Sequence, residues 1–217
     1  MIEKSPGRDQ IPEWILYTDV PPPRLQKDRP GRNSDRRRPQ PTFTFLGGRA
    51  GSGRSWFTSP HGPIDRSGSI FLDVMEIVER LPEYQGGNAM LLYQEAYDIF
   101  LQAESKARSQ MLNIIVKSTM RVKEEAEAWL RLYKQAGYST CGYYMYASPK
   151  VAAERALRRW TEADARGEKA PYLKIGYILG STTNEATFDA LKPMLDLWAL
   201  YENMGSAPTL VAKNSPE

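Results

Sequence analysis

The chain holds one cysteine, Cys141, and one histidine, His61. A single thiol excludes an internal disulfide, and one Cys with one His excludes a Cys/His metal centre. No uninterrupted apolar run reaches the roughly 18 residues that a membrane-spanning helix needs. The opening residues, Met1 to Pro6, are polar and predict no secretory signal. A reducing, cytoplasmic setting fits these absences, and a protein packaged into a particle has the same look.

Charge is present but unevenly placed. Residues 1–41 carry nine Lys/Arg against six Asp/Glu, which accounts for the whole net charge of +3, and they hold eight of the 16 prolines. This segment reads as an extended or disordered basic Pro/Arg-rich tail. Pro21-Pro22-Pro23 favours polyproline II, and Arg36-Arg37-Arg38 lies among polar residues. Two readings of the arginines stand side by side: a solvated linker, or a contact with nucleic acid or another acidic surface. The apolar patch Trp14-Ile15-Leu16-Tyr17 is suited to docking on the body or on a partner.

The body, residues 42–217, alternates strands with helices. Thr42–Leu46, Ser69–Asp73, Leu112–Val116 and Tyr138–Tyr146 read as strands, and Pro208–Ala212 as a last one. Glu76–Arg80, Asn88–Met111, Val122–Ala136 and Pro149–Ala165 read as helices. On the second of these, Leu92, Ala96, Ile99, Phe100 and Ala103 share a face. Gly137 stands where a helix wants a left-handed cap. Thr182-Thr183-Asn184-Glu185 resembles a capping box for a helix from Ala186. Pro193 is expected to kink that helix, with Leu195–Asn203 continuing it and Trp198 and Tyr201 as its core anchors. The expected fold is α/β: a three-layer P-loop kinase-like domain with a mostly parallel sheet covered on both faces.

Gly48-Arg49-Ala50-Gly51-Ser52-Gly53-Arg54-Ser55 follows the first strand and matches the phosphate-loop pattern at every position but one, where Arg54 replaces lysine. Glycines let backbone N–H groups converge on phosphate oxygens. A helix beginning at Trp56-Phe57 would add its positive dipole end. Ser55 is placed to hold Mg²⁺ through its hydroxyl. Arg54 keeps the charge as a planar fork rather than a compact ammonium.

From about Thr42 to Ala212 the chain resembles the zeta-toxin kinases, especially versions found in bacteriophage genomes. The resemblance rests on the loop, on Phe71-Leu72-Asp73 followed by Leu81-Pro82, and on Ile114 through Thr119. Ala136-Gly137-Tyr138, Ser148 through Leu157 and Asn184 through Asp189 complete it. It implies ATP- and Mg²⁺-dependent transfer of a γ-phosphoryl group to a UDP-amino-sugar or similar small molecule. By position, Gly48, Gly51, Ser52, Gly53, Arg54, Ser55, Arg155 and Arg159 would hold the nucleotide, and Ser55 and Asp73 the metal. Asp73, Arg54 and Arg158 would be catalytic. Glu95, Thr119 and Arg121 would face the acceptor. An antitoxin is the partner the family implies, and phage structural proteins are a second candidate through the tail.

Four positions depart from the family together. Met75 stands where the second acid of an Asp-x-Asp pair acts as base, Lys117 inverts an acidic position, Arg54 replaces the loop lysine, and Glu168 replaces an arginine ahead of Ala170-Pro171. A thioether takes no proton, so Asp73, ahead of Glu76, is the expected replacement base. Two expectations follow. One is a kinase. The other is a catalytically degenerate kinase fold kept for binding, in a virion or beside a phage protein. His61 reads as a surface residue of a turn-rich loop, and Cys141 as core packing.

Overall fold

The computed structural model describes residues 40–214. Expectations for the tail, with Pro21–Pro23, the Trp14–Tyr17 patch and Arg36–Arg38, lie outside the described residues.

Six strands form one sheet: β1 (Thr42–Gly47), β2 (Ser69–Leu72), β3 (Asn113–Lys117), β4 (Ser139–Tyr146), β5 (Leu197–Glu202) and β6 (Thr209–Lys213). Their order is β2-β3-β1-β4-β5-β6, and only the β5–β6 pair is antiparallel. The central β1 is buried from Phe43 onward, as its unbroken run of β-formers requires of a parallel strand covered on both sides. The helices are α1 (Val74–Arg80), α2 (Ala89–Ser109), α3 (Lys123–Gln135), α4 (Pro149–Ala165), α5 (Ile175–Leu179) and α6 (Asn184–Leu191). No helix among the described residues is long and apolar enough to cross a membrane.

Period-2 alternation sorts the strand residues between two faces. Phe43, Phe45, Ile114, Val116, Ile70 and Leu72 pack with α1, α2, α3 and α6. The Tyr133 ring stacks on Phe43 with centroids 3.7 Å apart, and its hydroxyl donates to Glu104 at 2.7 Å. Leu46, Ile115 and Met145 point the other way, toward Phe57, Trp56 and Ile64. That second layer is thin among the described residues, because the helix expected from Trp56 is one 3-10 turn, Arg54–Thr58. Pro60 explains the stop. The residue before a proline is driven out of the helical region, and Ser59 is extended at φ −77, ψ 167. A single turn offers no dipole of consequence to a phosphate.

Two further expectations are overturned. Leu195–Asn203 is not helical: a 3-10 turn, Lys192–Met194, ends α6 at Pro193, and the chain then enters β5. Asp196 fixes the switch. Its carboxylate accepts from the Thr140 N–H at 2.7 Å and the Thr140 hydroxyl at 2.9 Å, while its own N–H donates to the Thr140 carbonyl at 3.0 Å. Leu197 is thereby set opposite Cys141. Trp198 and Tyr201 are anchors on a strand, packing against Phe188 and against Trp56 and Phe57 respectively. The capping box also fails. Thr183 makes no side-chain cap, because its hydroxyl donates to the Arg121 carbonyl at 2.5 Å. Helices α1 to α4, the start of α6 and Gly137 (φ 86) match expectation within three residues, whereas the short α5 had no counterpart in the sequence expectations. Cys141 is half-buried, and burial pushes its thiol pKa up.

Candidate functional site

The parallel strands end along one edge of the sheet, and the loop after β1 lies there, where such sheets place their ligands. Residues 48–53 double back through the Ser52 N–H to Arg49 carbonyl bond of 3.0 Å. Gly51 and Gly53 take φ of 85 and 96, a region other residues enter at a cost. A Cβ on Gly51 would strike the Ala152 carbonyl, and one on Gly53 would strike the Asn203 amide. The loop is tied down from both sides. Asn203, just past β5, donates to the Ser52 carbonyl at 2.8 Å. Arg49 donates to the Ser181 carbonyl and to both Glu185 oxygens, at 2.7 and 3.0 Å.

Beside this loop opens a cavity of 1370 Å³. Gly51, Gly53, Arg54, Ser55, Asp73, Thr119, Arg121, Arg155, Arg158 and Arg159 all line it. Gly48 and the fully buried Ser52 do not; they shape the loop behind the wall. Glu95, expected at the acceptor, lies on α2 outside the lining. Eight Lys/Arg and four Asp/Glu side chains line the cavity, so it favours an anion.

These charges are not equally available. Arg155 donates to the carbonyls of Asn203 at 2.8 Å and Gly205 at 3.3 Å, so it braces the β5 end. Arg158 lies 3.8 Å from Glu162 in an exposed pair. Arg54 and Arg159 have no hydrogen-bond or ion-pair partner among the described residues. Burial pulls the Arg54 pKa below its usual value, Asp73 opposes this, and an arginine so placed still stays charged. Burial raises the Glu79 carboxyl pKa, with Arg159 working against it and Asp73 adding to it.

Asp73 is fully engaged. Its Oδ1 accepts from the Met75 N–H at 3.1 Å and caps α1, and its Oδ2 lies 2.5 Å from the Lys117 ammonium. The ladder brings the two residues together. Leu72 pairs with Val116, so the next residues, Asp73 and Lys117, leave adjacent strands side by side. Lys117 Nζ also lies 3.4 Å from the Ser55 hydroxyl.

A nucleotide phosphate suits the cavity beside the loop, where Gly51 and Gly53 line the wall together with the cationic Arg54 and Arg159. Mg²⁺ does not fit this arrangement. The two oxygens expected to hold it, on Ser55 and Asp73, are bridged by an ammonium. Of the other departures, Met75 lines the cavity, whereas Glu168 is exposed and pairs with Arg166 at 2.8 Å outside the lining. That hydrogen bond holds the Glu168 pKa below its ordinary value.

Several lining residues escaped the sequence reading. Tyr93 and Tyr97 stack at 6.3 Å, Tyr97 and Phe100 at 5.8 Å, and Phe100 meets Trp129 edge-on at 5.8 Å. Together they form an aromatic wall of the same cavity. Arg121 lies over the Tyr177 ring at 4.9 Å. Glu79 and Lys174 complete the surface. The spacing of Tyr93, Tyr97 and Phe100 on one helix was a visible signal. Asn203 had none, because the residues before it read as a helix.

Comparison with known proteins gives the context. The family described as Zeta toxin matches residues 27–189. Among solved structures, the chain is similar to one from the PezAT chromosomal toxin-antitoxin system of Streptococcus pneumoniae. Identity is 18%, TM-score 0.61, with 80% of this chain and 72% of that chain covered. It is also similar to the AvrRxo1-ORF1:-ORF2 complex in its native form, at 15% identity and TM-score 0.63. The same complex with ATP gives 15% and 0.61; in both, 80% of this chain and 58% of the other are covered. Comparison with curated proteins finds no match. At these identities the structural likenesses speak to the fold.

Proposed function

Because the chain belongs to the zeta toxin family, we propose that it binds ATP at the loop Gly48–Ser55 and transfers the γ-phosphoryl group to a hydroxyl of a UDP-amino-sugar or similar small molecule. One observation carries the reading: a single cavity of 1370 Å³ joins the phosphate loop to the aromatic wall. That volume exceeds the roughly 300–1,000 Å³ of a pocket for one small ligand, which leaves room for a nucleotide and an acceptor together. Flat aromatic side chains suit a nucleobase or a sugar face.

In the proposed step the acceptor oxygen attacks the γ-phosphorus, the bond to the β,γ-bridging oxygen breaks, and ADP leaves. Arg54 and Arg159, which make no hydrogen bond or ion pair among the described residues, neutralise the charge on the phosphoryl oxygens. The acceptor proton goes to Glu79, a carboxylate of the cavity lining whose raised pKa suits it to take a proton. Asp73 is less suited, being engaged by Lys117 and by the Met75 N–H.

The Lys117–Asp73 pair also favours a second reading, in which the fold keeps ATP without transferring phosphate. Radiolabelled ATP, offered with UDP-amino-sugars and tested against an Arg54→Ala control, separates the two. Transfer above the control supports the kinase. Binding without transfer supports the second reading, and absence of ATP binding overturns both. An antitoxin-like partner belongs to the same proposal, and co-purification with neighbouring gene products tests it.

A further inference from the structure

We propose that Lys117 is the phosphate-gripping lysine of this chain, reaching the site from β3 instead of from the loop, and that its ammonium occupies the place of a divalent cation. The inference deepens the reading above and rests on its claim that the loop receives a polyphosphate.

Three features converge on Lys117. The loop position where a lysine would serve is Arg54, a planar fork that does not reproduce a compact ammonium. The β2–β3 register, Leu72 opposite Val116, brings Lys117 beside Asp73 at the edge of the sheet facing the loop. The ammonium then lies 2.5 Å from Asp73 Oδ2 and 3.4 Å from Ser55 Oγ, the two atoms that would otherwise hold a metal. Its side chain is 19% exposed and that of Asp73 is 10% exposed, so solvent screens the pair little.

Chemistry decides between the two cations. An ammonium has three N–H donors. Asp73 and Ser55 take two, which leaves the third for a phosphate oxygen in the cavity that Lys117 lines. A divalent ion bound to the same oxygens would sit at about 2.0–2.1 Å from each. It would lie against a positive charge, with one Asp73 oxygen already capping α1. Among the described residues no cluster of three Asp, Glu, His or Cys offers a replacement metal site. Lys117 therefore neutralises phosphate where the metal would, and polyphosphate binding becomes independent of Mg²⁺.

The test is calorimetric binding of inorganic tripolyphosphate and of ATP to the full chain, each in EDTA and in Mg²⁺. The wild type is expected to bind both ligands equally well, within about threefold, in either condition. Losing one charge-assisted hydrogen bond corresponds to roughly 10- to 100-fold in affinity. Lys117→Met should show that loss in EDTA and recover part of it in Mg²⁺, because Ser55 and Asp73 are released. A lysine that only braced the fold would not change the metal dependence.

Wild-type binding of tripolyphosphate that needs Mg²⁺, or absent altogether, overturns the proposal. So does unchanged affinity of Lys117→Met in EDTA. The wild-type comparison suffices if the variant does not fold. If tripolyphosphate binds through Lys117 without metal but ATP does not bind, the ATP reading fails while the lysine assignment stands.

Discussion

Arg49 and Glu185, 136 positions apart in sequence, meet at 2.7 Å and fasten the phosphate loop to the first turn of α6. The Arg49 side chain is only 3% exposed. Removing its counter-charge leaves a buried guanidinium, which costs about 3–5 kcal/mol when a buried pair is broken from one side. Glu185→Gln should fall at the lower end of that range, because Glu185 is 31% exposed and the Ser181 carbonyl remains a partner. Urea denaturation measures it. A loss below about 1 kcal/mol would place the pair with ordinary surface bridges.

Gly51→Ala should damage the site more than the fold. The new methyl meets the Ala152 carbonyl at a backbone angle that L-residues avoid. A loss of more than about 1 kcal/mol in stability is expected where the native conformation is incompatible with a side chain. ATP binding should be lost with it. Thermal melting and calorimetry on the same preparation check both, and retained ATP affinity would show that the loop does not touch the phosphates.

Glu79→Gln should lower the transfer rate by about 10²–10⁴-fold with ATP affinity unchanged. The raised pKa of Glu79 also predicts the pH response. Wild-type turnover should fall as pH drops through a pKa above the ordinary 4.5. The sign for stability is opposite: a carboxyl held above its unfolded value loses stabilisation as pH rises through that window. A pH–rate profile unchanged by the substitution would remove Glu79 from the proton path.

Asp196 controls an acid-side response of the fold. Burial works to raise its pKa, but bonds from the Thr140 N–H, Lys134 and the Thr140 hydroxyl win, and the net shift is downward. Its stabilisation is complete above the unfolded value of 3.8 and is lost as pH falls through the lower folded value. Asp196→Asn should flatten the drop in melting temperature below that pH. A melting curve with the wild-type acid slope would show that the carboxylate contributes nothing there.

Tyr93→Ala should weaken acceptor binding and leave ATP binding intact. Tyr93 is exposed and stacked only on Tyr97 among the described rings, so its removal leaves the core in place. An aromatic contact of about 1 kcal/mol corresponds to a several-fold rise in acceptor KM. An equal effect on ATP would put the nucleotide, not the acceptor, at the aromatic wall.

The sequence by itself determined the strand–loop start, the helices α1 to α4 and the parallel core, because each rests on local signals. These are an unbroken β-forming run before glycines, apolar spacing on one helix face, and Pro and Gly at helix ends. It also brought forward ten residues that do line the cavity, since the phosphate loop and the residues after each strand end fall at one edge of a parallel sheet. Tertiary structure decided the rest. Leu195–Asn203 has a helix-compatible pattern, and pairing with β4 and β6, entered through the bonds between Asp196 and Thr140, makes most of it a strand. Lys117 reads in sequence as a charge of the wrong sign. Only the register of β2 against β3 places its ammonium between Asp73 and Ser55, because strand pairing joins residues 44 positions apart and leaves no local trace in the chain.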